Sequence, residues 1–218
     1  MGDFKAPNLS KEVHIWRCPI SFALNLPRGE EIPPARMSSE KRRQEFRAGR
    51  RLVHFLLSLY LGPKRASEIK IISSPRGKPY LSSPELHFSL SHSRGRVALA
   101  LSSLGPVGLD IEKIRPVRIE QLAQRVFTPG ELRAMEALPM TGRHREDYFF
   151  WRWTCKEARV KLSGEGLSQS SLSSNKSVVV SYYEMGFYLS LAYDAEDPVE
   201  RVRWLNIEKG PTDFSSRP

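Results

Sequence analysis

The order of apolar and polar residues along the chain marks out a mixed α and β protein. Residues 13–26 mix apolar and polar side chains and are expected to contribute an early strand, and 27–34 form a Pro/Gly/Glu loop. After Ser38 and Ser39, both good N-caps, Phe46, Val53, Leu56, Leu57 and Tyr60 recur at helical spacing. They predict a helix that stops at Gly62-Pro63. Residues 69–72 read as a short strand and 73–79 as a turn-rich loop. Arg94-Gly95 is a turn before a strand at 97–101, and Leu104-Gly105-Pro106 turns into another at 107–111. There Val107, Leu109 and Ile111 take one side, and Gly108, Asp110 and Glu112 the other.

Helical patterns dominate the next stretch. Residues 119–127 read as a helix, and Thr128 caps a second one through 138, with Pro129 at its first position and Glu131 at its third. A linker at 139–145 leads to a long helix over 146–162, stopped by Ser163-Gly164. The serine-rich residues 168–174 are expected to be a loop. Strands at 178–183 and 187–193 pair around Met185-Gly186, and the last ten residues, poor in apolar side chains, are expected to fray.

A chain of 218 residues can bury a real core as one domain or two small ones. Its net charge of +10 points to a polyanionic partner: nucleic acid, an anionic membrane, a phosphorylated small molecule or an acidic protein. Cys18 and Cys155 give neither a disulfide framework nor metal-ligand spacing, so a reducing compartment is the default. The N-terminus shows no secretory pattern, Ala6 stands where myristoylation wants Ser or Thr, and no apolar run is long enough to span a membrane. A soluble, cytoplasmic protein is expected.

Two short motifs carry chemistry. Gly108-Leu109-Asp110-Ile111-Glu112 sets two carboxylates on one side of a strand. Such a pair is most often the exposed side of a half-buried sheet, but Gly108 lets a ligand or another backbone come close. In Trp153-Thr154-Cys155-Lys156-Glu157-Ala158-Arg159-Val160-Lys161, Glu157 and Lys161 share a helix face, the ordinary spacing of a surface ion pair. Tyr148, Phe149, Phe150, Trp151 and Trp153 argue that this helix is largely buried, where a carboxylate and a lysine need partners. If the motifs converge, Asp110, Glu112, Glu157 and Lys161 can hold a magnesium ion against a pyrophosphate. Arg76-Gly77-Lys78 and Ser91-His92 add donors for phosphate oxygens. Arg43, Arg47, Arg50 and His54 form a stripe on the first long helix, either a solvated surface or an anion-binding face.

In order along the chain, Gly77-Lys78-Pro79 leading to His87-Phe88-Ser89-Leu90-Ser91-His92-Ser93, then the Asp110 motif, then the Glu157 motif, the sequence resembles the larger, pseudo-dimeric class of 4′-phosphopantetheinyl transferases. The resemblance covers about residues 36–167. It implies an α+β fold of two similar α/β halves packed as a pseudo-dimer, 1–104 and 105–218, with coenzyme A in the cleft between them. It implies an enzyme that moves the phosphopantetheine arm of coenzyme A onto a serine of an acyl- or peptidyl-carrier protein, as in fatty acid, non-ribosomal peptide or polyketide biosynthesis. Asp110, Glu112 and Glu157 would hold Mg²⁺, and Ser91, His92, Lys78 and Lys161 would contact phosphates. Arg76, Gly77 and Pro79 would line the nucleotide pocket, with Arg50 and Lys156 among the coenzyme A contacts. Catalysis would fall to Glu157, Lys161 and Asp110. A monomer with no nucleic-acid or membrane partner is expected. Two other readings stay open: a basic nucleic-acid-binding protein, and a relative that binds coenzyme A or a carrier without transfer.

Overall fold

Strand β1 (Glu12–Pro19) is buried on both faces, and those faces set the layers of the molecule. In the computed structural model, which describes residues 8–29, 31–35, 37–75, 77–140, 143–164 and 176–209, β1 lies inside a four-stranded sheet. The order is β4 (His87–Ser93), β5 (Arg96–Ser102), β1 and β9 (Arg201–Asn206), with β5 antiparallel and β9 parallel to β1. Trp16 and Cys18 point to the helix side, against Leu52, Leu56 and Leu57 of α2 (Glu40–Leu61). Val13 and Ile15 point the other way, into a core shared with a second sheet.

That second sheet has the order β6 (Val107–Lys113), β8 (Phe187–Asp194), β7 (Ser177–Glu184), all antiparallel. Val107, Leu109, Ile111, Leu189 and Leu191 meet Val13, Ile15, Ala98 and Ala100 between the sheets. The outer face carries α6 (His144–Ser163), braced through Phe149 and Phe150 by α4 (Ile119–Val126) and α5 (Pro129–Glu136). Helix, sheet, sheet and helices therefore stack in four layers.

The connectivity repeats. β1, α2, β4 and β5 give the sheet order β4-β5-β1, and β6, α6, β7 and β8 give β7-β8-β6. Both hairpins turn on two residues of positive φ, Arg94 (45°) with Gly95 (81°) and Met185 (50°) with Gly186 (79°). That is the signature of the primed turn, whose twist matches the strands it joins. β9 then returns to the first sheet, where Arg203 reaches Glu12 at 2.5 Å and holds its carboxyl down to about 2.

The helix boundaries follow the sequence pattern closely, and the capping box of Thr128 and Glu131 is present as read from it. The strand expected at 69–72 is β2 (Ile71–Ser73), paired with β3 (Pro79–Leu81). Sequence reasoning assigned no strand at β3, β4 or β9 and missed two short helices, α1 (Ile20–Ala23) and α3 (Pro63–Glu68). The expectations for 168–174 and for the tail from 210 onward lie outside the described residues. Among the described residues no helix is long and apolar enough to cross a membrane.

Gly108 is where sheet and helix touch. A Cβ there would sit 1.9 Å from the Ala158 carbonyl oxygen and 2.4 Å from the Leu162 nitrogen, both helix backbone. The close approach anticipated for this glycine is therefore made by α6. Gly108→Ala should push α6 off β6 and cost about 1–3 kcal/mol, read as a fall in the thermal unfolding midpoint; an unchanged midpoint would show that the contact is not tight.

Candidate active site

The site begins with the alternation of β4. Phe88 and Leu90 face α2, where Leu90 fills the notch left by Gly49. Ser89, Ser91 and Ser93 point instead at the edge of β6. Their hydroxyls accept hydrogen bonds from the backbone N–H groups of Leu109 (2.9 Å), Ile111 (3.3 Å) and Lys113 (3.2 Å). Both strands are edges of their sheets, so three serines satisfy donors that would otherwise be orphaned where the sheets meet.

The same hydroxyls orient the acidic side chains. Ser91 Oγ donates to Asp110 Oδ1 at 2.9 Å, and Ser93 Oγ donates to Glu112 Oε2 at 2.8 Å. From α6, the Lys161 ammonium donates to Asp110 Oδ1 at 2.7 Å and to Ser91 Oγ at 2.8 Å. Arg115 donates to Glu112 Oε2 at 2.8 Å. Asp110 is buried, and its second oxygen, Oδ2, has no hydrogen-bond partner among the described residues. Burial pushes its carboxyl above the ordinary range against the pull of Lys161 and Ser91. Burial also raises Glu157, with Asp110 next and Glu112 adding to it, so the three carboxylates feel one another.

Those three carboxylates converge without forming a cage. Among the described residues no three His, Cys, Asp or Glu side chains stand together as a ready metal site, because Lys161 occupies Asp110 Oδ1 and Arg115 occupies Glu112. An orphaned buried carboxylate oxygen beside two further carboxylates nonetheless suits a small cation that prefers oxygen ligands.

On the α2 side of β4 opens a cleft of about 990 Å³, lined by Arg42, Glu45, Arg50, Gly77, Pro79 and His92 among others. A neighbouring recess of about 280 Å³ shares Gly77, Pro79, Phe88 and Leu90 with it and reaches Lys161 and Gly164. Gly77 turns the β2–β3 hairpin at φ 85°, a conformation other residues resist. One wall, the loop through Ile32 and Pro34, is pinned by Arg51, whose guanidinium grips both oxygens of Glu31 at 2.5 and 2.9 Å.

Most of the residues named from sequence meet here: Asp110, Glu112, Glu157, Lys161, Ser91 and His92 gather at the β4–β6–α6 junction, and Gly77, Pro79 and Arg50 line the cleft. Lys78 borders the recess, where its ammonium donates to the Leu162 carbonyl at 3.0 Å at the end of α6, and burial lowers its pKa. Arg43 and Arg47 are engaged by Glu40 rather than by the cleft. Arg76 lies outside the described residues. Lys156 is not brought to the site, which corrects the expectation for it. It is buried on another face of α6, and its ammonium meets Glu131 Oε2 at 2.8 Å and the Phe127 ring at 5.8 Å. Sequence reasoning missed Arg42 and Glu45; the one available signal was a carboxylate inside a basic stripe.

Comparison with known proteins fits this geometry. Residues 106–186, which run from β6 into the β7–β8 turn, match the model of the 4′-phosphopantetheinyl transferase superfamily. The chain is 34% identical over 181 residues to the 4′-phosphopantetheinyl transferase HetI of Nostoc sp., covering 76% of this chain and 75% of that protein. The chain belongs to the 4′-phosphopantetheinyl transferase superfamily. It is 39% identical over 178 residues to the transferase AcpT of Escherichia coli, covering 76% of this chain and 84% of the other. Likeness to the transferase Sfp of Bacillus subtilis is 36% over 103 residues, 47% of this chain and 44% of that one.

In this transferase the back of α6 is anchored by Glu131. Burial alone would raise its pKa, but hydrogen bonds from Lys156, the Thr128 backbone and Arg152 hold it down to about 2, against 4.5 ordinarily. The anchor is therefore complete above pH 4.5 and weakens as pH falls toward 2. Glu131→Gln should cost on the order of 2–4 kcal/mol at neutral pH and flatten the acid limb of a stability-against-pH curve measured by denaturant melts. An acid limb of wild-type steepness would assign it to other carboxylates.

Proposed function

We propose that this chain transfers the 4′-phosphopantetheine arm of coenzyme A to the side-chain hydroxyl of a serine in an apo acyl- or peptidyl-carrier protein, releasing adenosine 3′,5′-bisphosphate. The observation that supports it best is the Asp110 carboxylate, buried, held by Ser91 and by Lys161 from the lining of the recess, with an unpartnered oxygen and Glu157 nearby. We read the two β–α–β–β units as the two halves of a pseudo-dimer, 1–104 and 105–218, with β9 of the second completing the sheet of the first.

In this reading the nucleotide end of coenzyme A lies in the cleft under Arg42 and Arg50, and the diphosphate runs past His92 toward Lys161. Asp110, Glu112 and Glu157 would hold Mg²⁺, which when bound neutralises charge that grows on the diphosphate. The carrier serine oxygen attacks the phosphorus next to pantetheine, and the bond from that phosphorus to the bridging oxygen breaks. The serine proton passes to the Glu157 carboxylate, whose raised pKa makes it a better acceptor than an exposed glutamate. Lys161 leaves Asp110 for the departing bisphosphate and stabilises its new oxygen charge. Ser91 and Ser93 keep the acidic side chains aimed while this happens. The positive net charge of the chain suits an acidic carrier surface.

The test is an incubation with coenzyme A, Mg²⁺ and apo carriers of fatty-acid, peptide and polyketide type, read by intact mass. A gain of one phosphopantetheine on at least one carrier is expected; no gain on any would reject the transferase reading. Asp110→Asn and Glu157→Gln should each slow transfer about 10²-fold or more in protein that unfolds at its usual temperature, and near-full activity would refute their roles. Lys161→Ala should slow transfer by a larger factor than it weakens coenzyme A binding, whereas equal losses would make it an anchor only.

A further inference from the structure

A carboxylate in a cleft built for phosphates needs a reason to be there. Glu45 sits on α2, is buried, and lines the same cleft as Arg42, Arg50 and His92. Its Oε2 lies 3.6 Å from His92 Nδ1, and the exposed Lys41 ammonium stands 3.9 Å from its other oxygen. An unmatched negative charge at this place would repel a diphosphate. Paired with His92, it does something else.

We propose that Glu45 is a positioning residue for His92: it holds the Nδ1–H side of the imidazole, so that Nε2 is presented to coenzyme A phosphate as a charged donor. At 3.6 Å the two are at ion-pair separation, outside hydrogen-bond range. Ring direction and protonation follow the charge that faces the other nitrogen, and Glu45 is the carboxylate that faces Nδ1 here. The charged groups around the ring are Glu45 from α2, Lys161 from α6, and Asp110 and Glu112 from β6. Burial lowers the His92 pKa and Lys161 adds to that, while Glu45 is the largest influence in the opposite direction. On balance the ring of the unliganded protein stays below its ordinary pKa, and Glu45 at Nδ1 acts together with a phosphate arriving at Nε2 to favour the doubly protonated ring. The pairing also explains why α2 tolerates a buried acid beside a basic stripe.

This inference rests on the transferase reading, and the test separates the two. Coenzyme A binding is measured by calorimetry, without added metal, for the full chain, Glu45→Gln, His92→Gln and the double variant, with steady-state rates alongside. If the unaltered chain does not bind coenzyme A, the functional reading fails. If it binds, Glu45→Gln is expected to weaken binding about tenfold, His92→Gln by a similar factor, and the double variant no more than His92→Gln alone. KM for coenzyme A should rise in Glu45→Gln with kcat kept within about twofold. The ¹⁵N resonances of the His92 ring in the coenzyme A complex should report protons on both nitrogens in the unaltered chain and lose that signature in Glu45→Gln. Unchanged or tighter binding by Glu45→Gln, or losses that add in the double variant, would overturn the proposal. Should Glu45→Gln not fold, Glu45→Asp keeps the charge one methylene shorter. Affinity held to within about threefold then supports the pairing, and a loss as large as that of His92→Gln contradicts it.

Discussion

Two sheet edges meet in this protein without pairing, and three serine hydroxyls make the junction possible. An edge strand exposes backbone donors that must find partners once buried. β4 meets that need with side chains at every second residue, Ser89, Ser91 and Ser93, against the N–H groups of Leu109, Ile111 and Lys113. The match of period two on both strands fixes their relative register. It also fixes where Asp110 and Glu112 point, because they lie between those N–H groups. A slip of one residue would turn the carboxylates into the apolar core between the sheets and bring Leu109 and Ile111 outward.

Around that junction the protein concentrates charge where burial opposes it. Asp110 and Glu157 have raised pKa values because water is excluded, with Glu112 adding to Asp110, and Asp110 and Glu112 to Glu157. Lys161 offsets this at Asp110 through a 2.7 Å ion pair. Such an arrangement suits the proposed exchange, in which a cation held at Asp110 would free Lys161 for a phosphate oxygen. α6 is held rigidly enough for this by backbone contact at Gly108, by Lys78 at its last turn, and by Thr154, Cys155, Ser181 and Ser190, which form a buried hydroxyl and thiol network under its middle.

The parts of the fold that were legible in the sequence are those governed by local physics. The periodicity of α2 and α6, the Thr128–Glu131 capping box and the two hairpin turns are decided within a few residues. β9 was not legible, because its alternation lasts only from Arg201 to Trp204 and breaks at Leu205: Trp204 and Leu205 serve opposite faces of the first sheet. At the site, Asp110, Glu112, Glu157 and Lys161 were legible as motif residues, but their present partners were not. Ion pairing of Lys161 with Asp110 and the engagement of Lys78 by a helix carbonyl depend on distances across the fold. Lys156 was misplaced for a related reason. Neighbours in a helix point about 100° apart, so adjacency to Glu157 placed it on a different face. Glu45 was hidden among arginines whose charge dominated the reading of α2.

The most direct measurement is a crystal structure of the chain with coenzyme A and Mn²⁺, read for the metal by anomalous scattering. The expected map shows one metal peak touching Asp110, Glu112 and Glu157, the diphosphate beside it, and Lys161 moved from Asp110 onto a phosphate oxygen. Coenzyme A bound elsewhere, or a Lys161–Asp110 pair left intact with no metal peak at the three carboxylates, would contradict the assignment of this junction as the catalytic centre.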